Sequence, residues 1–458
     1  MVVTENRFPL FGTMLVPSGP RTLPGTRLTK PGDASIKSPE AHGTKRVRAA
    51  DHRAFGDAIS NRLAELAALS DEPGRLTRLY LSPAHRRAID LVSYWMRDAG
   101  MSVRLDPLAS VVGRYEGQDG GTKTLLLGSH IDSVRNAGRF DGPLGVVTAI
   151  EVVKAAFKSG KRYPFAIEVV AFGDEEGVRF ATTLGGSRAL AGTFDEQALD
   201  ELDESTISRR EALAAFGCDP SRVAAEKRPP DRTVGYVEIH IEQGPVLEKD
   251  GLPLGVVTTI DGVTRATIDV GGVAGHAGTV PMAMRHDALT AAAEMLLPIE
   301  ERARRRPNLV ATVGKLEVPR SAPNTIPGRV RFTLDIRSPA DAERVKAVED
   351  IKTTIAAIAA RRGVTQRLTP GHQALAAHCD EKLSDLLAAA AESCGAAPRR
   401  IPSGAGHDAM AFDKVIPFAM LFVRCRGGVS HNPDEYASAA DIDIASRVLS
   451  NFLDRIGS

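Results

Sequence analysis

The chain has 458 residues, 43% of them hydrophobic and 25% charged, which is typical of a globular protein long enough for two domains. Its formal net charge of +1 argues against electrostatic attraction of the whole protein to nucleic acid or membranes. With one Trp and six Tyr, it has few aromatic side chains that could stack on nucleic-acid bases. The four cysteines form no CxxC pair, which argues against a disulfide framework or a thiolate zinc site. Because we also find no secretory signal and no run of about 20 apolar residues, we expect a cytoplasmic protein with no membrane and no nucleic-acid partner.

Residues 1–50 differ in composition from the rest of the chain. They carry eight Lys or Arg, three Asp or Glu and six prolines without periodicity, so we expect a disordered extension. A start codon placed too far upstream would give the same composition, and so would a targeting peptide.

Residues 51–255 are predicted to form the first part of a catalytic domain. Apolar spacings of three and four predict amphipathic helices in HRAFGDAISNRLAELAAL and SPAHRRAIDLVSYWMRDAG. TLLLGSH, YPFAIEVVAFG and VGYVEIHIE are predicted strands, with a helix in DGPLGVVTAIEVVKAAFKSG. This alternation predicts an α/β layer with a largely parallel sheet between helices.

The pattern of predicted strands and helices changes over residues 256–370. Alternating strands such as VTRATIDVGG and RVRFTLDIR accompany two long predicted helices, which favours an inserted α+β sandwich of helices on an antiparallel sheet. The α/β texture returns over residues 371–458, which we interpret as the second part of the catalytic domain.

The first candidate cluster lies in GSHIDSVRNAGRFDG. His130 ends an apolar strand, and ligands bind at the carboxyl edge of open α/β sheets. Asp132 is placed to hold the second imidazole nitrogen, and Asp141 is available to bridge two cations. A polar pair with no metal is the alternative interpretation of His130 and Asp132 alone.

The second cluster follows the strand VVAFG. Glu175 and Glu176 are adjacent carboxylates at the end of a buried strand, where charge is costly unless cations compensate it. One carboxylate can bind metal while the other takes a proton from water. The alternative is a solvated acidic turn.

Two further histidines complete the candidate metal site. His240 lies in the strand YVEIHIE and His431 in the glycine-rich loop RGGVSHNPDE. Alone, they could be a core histidine and a surface-loop histidine. With the two clusters, they indicate a site for two divalent metal ions, for which Zn, Mn and Co all suit the ligands.

Taken in order, seven motifs resemble one enzyme family: GSHIDSVRNAGRFDGPLGV, DEEGVRF, EIHIEQGPVLE, GHAGTVPM, APNTIPG, SGAGHDA and GVSHNPDE. From about residue 52 onward the chain resembles the zinc-dependent amidases that comprise allantoate amidohydrolases and N-carbamoyl-L-amino-acid hydrolases. These lie within the superfamily of di-metal aminopeptidases and deacylases.

The resemblance implies two sets of metal ligands that share one carboxylate. One ion would take His130, Asp141 and His240, and the other would take Asp141, Glu176 and His431. Glu175 would be the general base. His407 in SGAGHDA is interpreted as a scaffold residue, since five better ligand candidates exist.

The resemblance also implies how substrate is held. The inserted domain would form a homodimer and act as a lid, and its His276 would steady the oxyanion. Gln243, Asn324 and Arg337 would contact the carboxylate and ureido groups of a small substrate. From the residues alone, Arg337 can form a bidentate fork on a carboxylate or a salt bridge within its own domain, and Asn324 can be a turn residue.

The expected reaction is cleavage of a ureido C–N bond with release of ammonia and carbon dioxide. Allantoate is the favoured substrate, because NAGRFDG and GHAGTVPM are nearer to allantoate amidohydrolases in texture. N-Carbamoyl-L-amino acids are the alternative, followed by β-ureidopropionate and ureidoglycolate. A peptidase or N-deacylase of the same superfamily is a more distant possibility, and a non-catalytic scaffold is disfavoured by the complete ligand set.

Overall fold

The computed structural model describes residues 54–118 and 123–457, so the predicted extension 1–50 lies outside the described residues. The helices are α1 Ala54–Ala67, α2 Pro83–Asp98, α3 Pro143–Lys158, α4 Gly185–Ala191, α5 Arg209–Ala215, α6 Val246–Asp250, α7 Ala288–Arg304, α8 Asp341–Arg362, α9 Glu381–Ser393 and α10 Ala439–Ile456. The strands are β1 Ser102–Leu105, β2 Val111–Tyr115, β3 Thr124–His130, β4 Ala166–Phe172, β5 Thr233–Ile241, β6 Leu254–Ile260, β7 Gly262–Gly271, β8 Gly275–His276, β9 Val310–Thr312, β10 Leu316–Glu317, β11 Thr325–Ile326, β12 Arg329–Ser338, β13 Thr365–Ala374, β14 Ala377–His378, β15 Arg399–Ser403 and β16 Phe418–Val423.

A mixed sheet in the order β1-β2-β4-β3-β5-β16-β6-β14, with β15 beside β6, forms the centre of the larger layer. Its middle strands β4, β3, β5 and β16 are parallel, so their carboxyl ends meet at one edge. Both faces are covered. In β3, for example, Leu125 and Leu127 pack into one apolar core and Leu126 into the other. Near-continuous apolar strands of this kind are what a sheet buried on both faces requires.

Local signals fix the helices around this sheet. Helix α2 begins after Ser82, whose side chain accepts from the His85 backbone N–H, with Pro83 in the first turn. Helices α1, α3, α9 and α10 pack on the same face, and residues from all of them contribute to one core.

The second sheet is antiparallel, in the order β10-β12-β7-β13 with β9 beside β12. Helices α7 and α8 cover one of its faces, where Ile268, Val330 and Ile355 share a third core. The other face carries a ladder of Arg and Asp side chains. The predicted fold class is therefore confirmed: a mixed α/β layer with a second sheet domain.

The chain passes from the first sheet to the second at Asp261, between β6 and β7, and returns between β13 and β14. Strand β6 continues past the predicted boundary at residue 255 because it still pairs with β15 and β16. Within residues 54–118 and 123–457, no helix has the length and apolar character needed to cross a bilayer.

Candidate metal centre and active site

The predicted ligands converge at the carboxyl edge of the central strands. His130 ends β3, Glu175 and Glu176 follow β4, His240 lies near the end of β5, and His431 follows β16. Since these four strands are parallel neighbours, residues far apart in sequence meet at one place.

The first group of candidate ligands is buried. His240 Nε2 lies 3.1 Å from Asp141 Oδ1, and His130 Nε2 lies 3.6 Å from the same oxygen. Tetrahedral ligands on bonds of 2.0–2.2 Å stand roughly 3.3–3.6 Å apart, so these separations suit one cation. Among the residues described, His240 Nε2 makes no hydrogen bond, which leaves it free to coordinate.

The second group uses the other oxygen of the same carboxylate. His431 Nε2 lies 3.3 Å from Asp141 Oδ2 and 3.6 Å from Glu176 Oε2. The ligand atoms of each group lie within 4.8 Å of one another. Asp141 therefore offers one oxygen to each group, which is the arrangement a bridging carboxylate requires.

The electrostatics of the site also suit cations. Burial raises the pKa of Glu175 well above its usual value and that of Glu176 to about 7, and neighbouring carboxylates add to both shifts. Burial opposes ionisation of Asp141 as well, but the adjacent imidazoles of His130, His240 and His431 hold its pKa well below the usual range. Divalent cations would compensate this concentration of carboxylates.

Asp132 contacts both His130 and the turn that carries Glu175 and Glu176. Its Oδ1 accepts from the Glu175 N–H at 3.1 Å, and its Oδ2 accepts from the Glu176 N–H at 3.2 Å. His130 Nδ1 lies 3.1 Å from the Asp132 backbone carbonyl oxygen and 3.5 Å from its Oδ1. Asp132 thus fixes the acidic turn through its carboxylate and contacts the imidazole mainly through its backbone carbonyl.

Gly142 allows Asp141 and His130 to approach. Its φ is +81°, and a Cβ at this position would lie 2.5 Å from the His130 ring. A side chain there would therefore displace the imidazole.

Sequence reasoning missed the support of Asp141 by Glu435 and Ser430. Glu435 Oε1 accepts from the backbone N–H groups of Phe140 and Asp141, at 2.8 and 3.1 Å. Ser430 Oγ lies 2.8 Å from Asp141 Oδ2 and 3.1 Å from Glu435 Oε2. Both residues stand in the motif GVSHNPDE, which also contains His431. Their proximity to His431 in sequence is the signal that could have identified them.

His407 lies behind the first group. Its ring centroid is 4.5 Å from that of His240, and its Nε2 lies 2.8 Å from Ser403 Oγ. With Glu238 it forms a third cluster of atoms that could hold a metal. Burial lowers the pKa of His407 well below its usual value, which favours the neutral ring. Glu238 is already bonded to Ser129 Oγ and to a backbone N–H, which favours a supporting role.

A cavity of about 370 Å³ opens onto the candidate ligands. Its wall includes Gln243 and Arg337, two of the predicted substrate-binding residues. Gln243 Nε2 donates to Asp141 Oδ2 at 2.8 Å, so it contacts the candidate metal site directly. Arg337 binds Asp335 through Nε and Nη2 at 2.8 and 3.0 Å, and its Nη1 donates to the Gly404 carbonyl.

His276 and Asn324 lie elsewhere. Both are exposed on the small β8–β11 sheet, where His276 pairs with Thr325 and the Ala277 N–H donates to the Asn324 carbonyl. Neither lines the cavity within this chain. Their predicted contact with substrate stays a prediction.

Comparison with known proteins identifies the family of the chain. The model of peptidase family M20/M25/M40 matches residues 126–455. Allantoate deiminase 2 of Glycine max is 41% identical over 426 residues, which cover 86% of this chain and 88% of that protein. An N-carbamoyl-L-amino acid amidohydrolase of Geobacillus stearothermophilus is 42% identical over 398 residues, which cover 86% and 97%.

A solved structure is similar over the same region. The crystal structure of an amidase of the hydantoinase/carbamoylase family from Burkholderia multivorans has a TM-score of 0.83 and 34% identity, and the match covers 88% of this chain and 98% of that one. The chain therefore belongs to peptidase family M20/M25/M40, as the resemblance predicts, and is a hydrolase of carbon–nitrogen bonds.

Proposed function

We propose that the chain is a metal-dependent amidohydrolase that cleaves the ureido C–N bond of a small carboxylate, with allantoate as the favoured substrate. The observation that carries this proposal is the pair of ligand groups sharing Asp141 on the wall of a cavity that also contains Arg337 and Glu175. Relatives named for allantoate and for N-carbamoyl-L-amino acids support the reaction class, and the second substrate class is the alternative.

The ligand assignment is part of the proposal. His130, Asp141 and His240 would hold one divalent cation, and Asp141, Glu176 and His431 would hold the other, with Zn, Mn and Co all suited to nitrogen and carboxylate ligands. When bound, such cations supply Lewis acidity and activate water.

Glu175 is the proposed general base. It stands beside a ligand but belongs to neither ligand group, so its carboxylate can accept a proton from water and pass it to the departing nitrogen. The carbamate released would decompose to ammonia and carbon dioxide.

Arg337 is the proposed carboxylate clamp. Its three hydrogen bonds to Asp335 and Gly404 occupy three of the five guanidinium N–H groups, so two remain for a substrate. Asp335 also accepts from Arg265 Nε at 2.8 Å. Asp335 therefore holds the side chains of Arg265 and Arg337 at the cavity wall.

We also propose a homodimer formed through the second sheet domain. Leu297 of α7 and Val310 of β9 expose 69% and 53% of their surface, although the elements that carry them are packed together. A second copy covering this surface would bury both side chains. His276 and Asn324 belong to the same domain. They would reach the cavity of their own chain if the two domains closed on each other, or the cavity of the second copy across the dimer. Sedimentation of an active, stable monomer would contradict the dimer.

Ammonia release from a substrate panel tests the function. Mn- or Zn-loaded protein should turn over allantoate, N-carbamoyl-L-amino acids or both. Arg337→Ala should raise KM strongly, whereas Arg331→Ala, on the same strand but paired with Asp269 away from the cavity, should not. Equal KM values for the two variants would contradict the role of Arg337 as a carboxylate clamp and would favour a peptidase or N-deacylase.

A further inference from the structure

Asp261 joins the two sheets and lines the same cavity as the candidate ligands. It follows β6 and precedes β7, and its backbone N–H donates to the Ser403 carbonyl at 2.8 Å. The residue is thus held at the wall by its backbone, while its side chain has no such tie.

The Asp261 carboxylate is left unsatisfied by the described part of the chain. Its Oδ1 is buried without a hydrogen-bond partner there. Burial raises the pKa of Asp261 to about 7, against the opposing positive charge of Arg337. Arg337 does not relieve it, because that guanidinium makes its ion pair with Asp335.

Two other carboxylates near the candidate ligands are paired. Asp132 accepts from two backbone N–H groups, and Glu238 accepts from Ser129 Oγ and the Ala409 N–H. Buried acceptors are usually paired, so an unpaired acceptor on a cavity wall is available to a donor on the ligand.

The wall also holds a free donor. Arg188 lines the cavity, and its Nε is buried without a hydrogen-bond partner among the described residues. A ureido group offers N–H donors of the kind that Asp261 accepts and a carbonyl acceptor of the kind that Arg188 Nε needs. An alkyl side chain complements neither and would leave both unpaired.

The candidate substrates differ at this point of their structure. All of them carry one reacting ureido group and a carboxylate. Allantoate has a second ureido group on the same carbon, whereas N-carbamoyl-L-leucine has an alkyl group. N-Carbamoyl-L-asparagine has a carboxamide of nearly the same shape as either.

We infer that Asp261 is a specificity residue that accepts hydrogen bonds from N–H groups on the non-reacting substituent, and so selects ureido- or amide-bearing substrates over alkyl ones. This inference rests on the proposed function. It assigns to Asp261 a contact with the part of the substrate that is not hydrolysed.

The test compares kcat/KM for allantoate, N-carbamoyl-L-asparagine and N-carbamoyl-L-leucine in metal-loaded protein. Asp261→Leu, which is nearly isosteric, should lower the ratio of allantoate to leucine derivative by roughly 10- to 100-fold, the effect of one hydrogen bond to a charged group. The asparagine derivative should follow allantoate. Asp269→Leu serves as a control, because Asp269 lies on β7 outside the cavity and pairs with Arg329 and Arg331.

Asp261→Asn guards against misfolding of the leucine variant. It keeps the size and polarity of the side chain and should lower the same ratio to a smaller extent. If wild type hydrolyses these substrates and both variants keep its ratio, the inference is overturned while the proposed function stands. If wild type releases no ammonia from any of the three, the proposed function itself is overturned.

Discussion

Replacing Asp132 by Asn should weaken both the fold and the metal site, because one carboxylate serves both. The side chain is buried, and its two oxygens accept separately from the Glu175 and Glu176 N–H groups. In either orientation, the amide of Asn turns its NH₂ group toward one of these donors. One partly buried N–H then loses its acceptor, which costs about 1 kcal/mol of the free energy of unfolding, the lower end of the range for an unpaired donor.

The same change should lower metal affinity about 10- to 100-fold, the usual effect of losing a carboxylate behind an imidazole ligand. The loss arises because the turn carrying Glu176 is no longer fixed and a negative charge 3.5 Å from His130 Nδ1 is removed, while the backbone carbonyl 3.1 Å from that nitrogen is kept. Urea unfolding of metal-free protein measures the first effect, and competition with a chromogenic chelator measures the second.

Asp106→Asn is the matched control. Asp106 is equally buried, but its Oδ1 alone accepts from both the Leu108 and Ser110 N–H groups, each at 2.8 Å, so an amide oxygen can replace it. We expect a stability loss below about 1 kcal/mol and unchanged metal affinity. If the two variants behave alike in both measurements, the role assigned to Asp132 is wrong.

Three further predictions follow from the described contacts. Glu175→Gln should lower kcat roughly 10²- to 10⁴-fold with metal content unchanged; a variant that keeps its kcat would exclude Glu175 as the base. Gly142→Ala should reduce metal affinity by displacing the His130 ring, and unaltered affinity would contradict that close contact. Burial lowers the pKa of His85 to about 4. As pH falls from about 6.5 to 4, His85 therefore binds a proton in the unfolded chain but not in the folded chain. About 3 kcal/mol of stability should be lost over this range, and urea unfolding of His85→Gln should show a correspondingly flatter pH dependence.

The fold was largely predictable because its signals are local. Apolar runs such as TLLLGSH predict strands buried on both faces, and β3 is one. The convergence of the candidate ligands was predictable for a related reason: His130 and Glu176 stand at strand ends, and parallel neighbours bring those ends together. The spacing of the motifs thus carried information about three-dimensional position.

The remainder depends on long-range packing. Glu435 supports Asp141 across 294 positions of sequence, and the motif GVSHNPDE indicates an acceptor near His431 without indicating which residue it contacts. Asp261 is a single carboxylate between two strands, and only the cavity shows that its oxygen is free. His276 stands in a suggestive motif, yet its distance from the ligands is set by the arrangement of the two sheets rather than by its neighbours in sequence.

The most direct test of a two-metal ureido hydrolase is ammonia release measured together with metal content, before and after chelation. We expect two ions per chain, chelator-sensitive release from allantoate or N-carbamoyl-L-amino acids, and recovery when Mn or Zn is restored. Release that survives complete removal of metal would contradict the account, and so would two bound ions with no release from any ureido substrate.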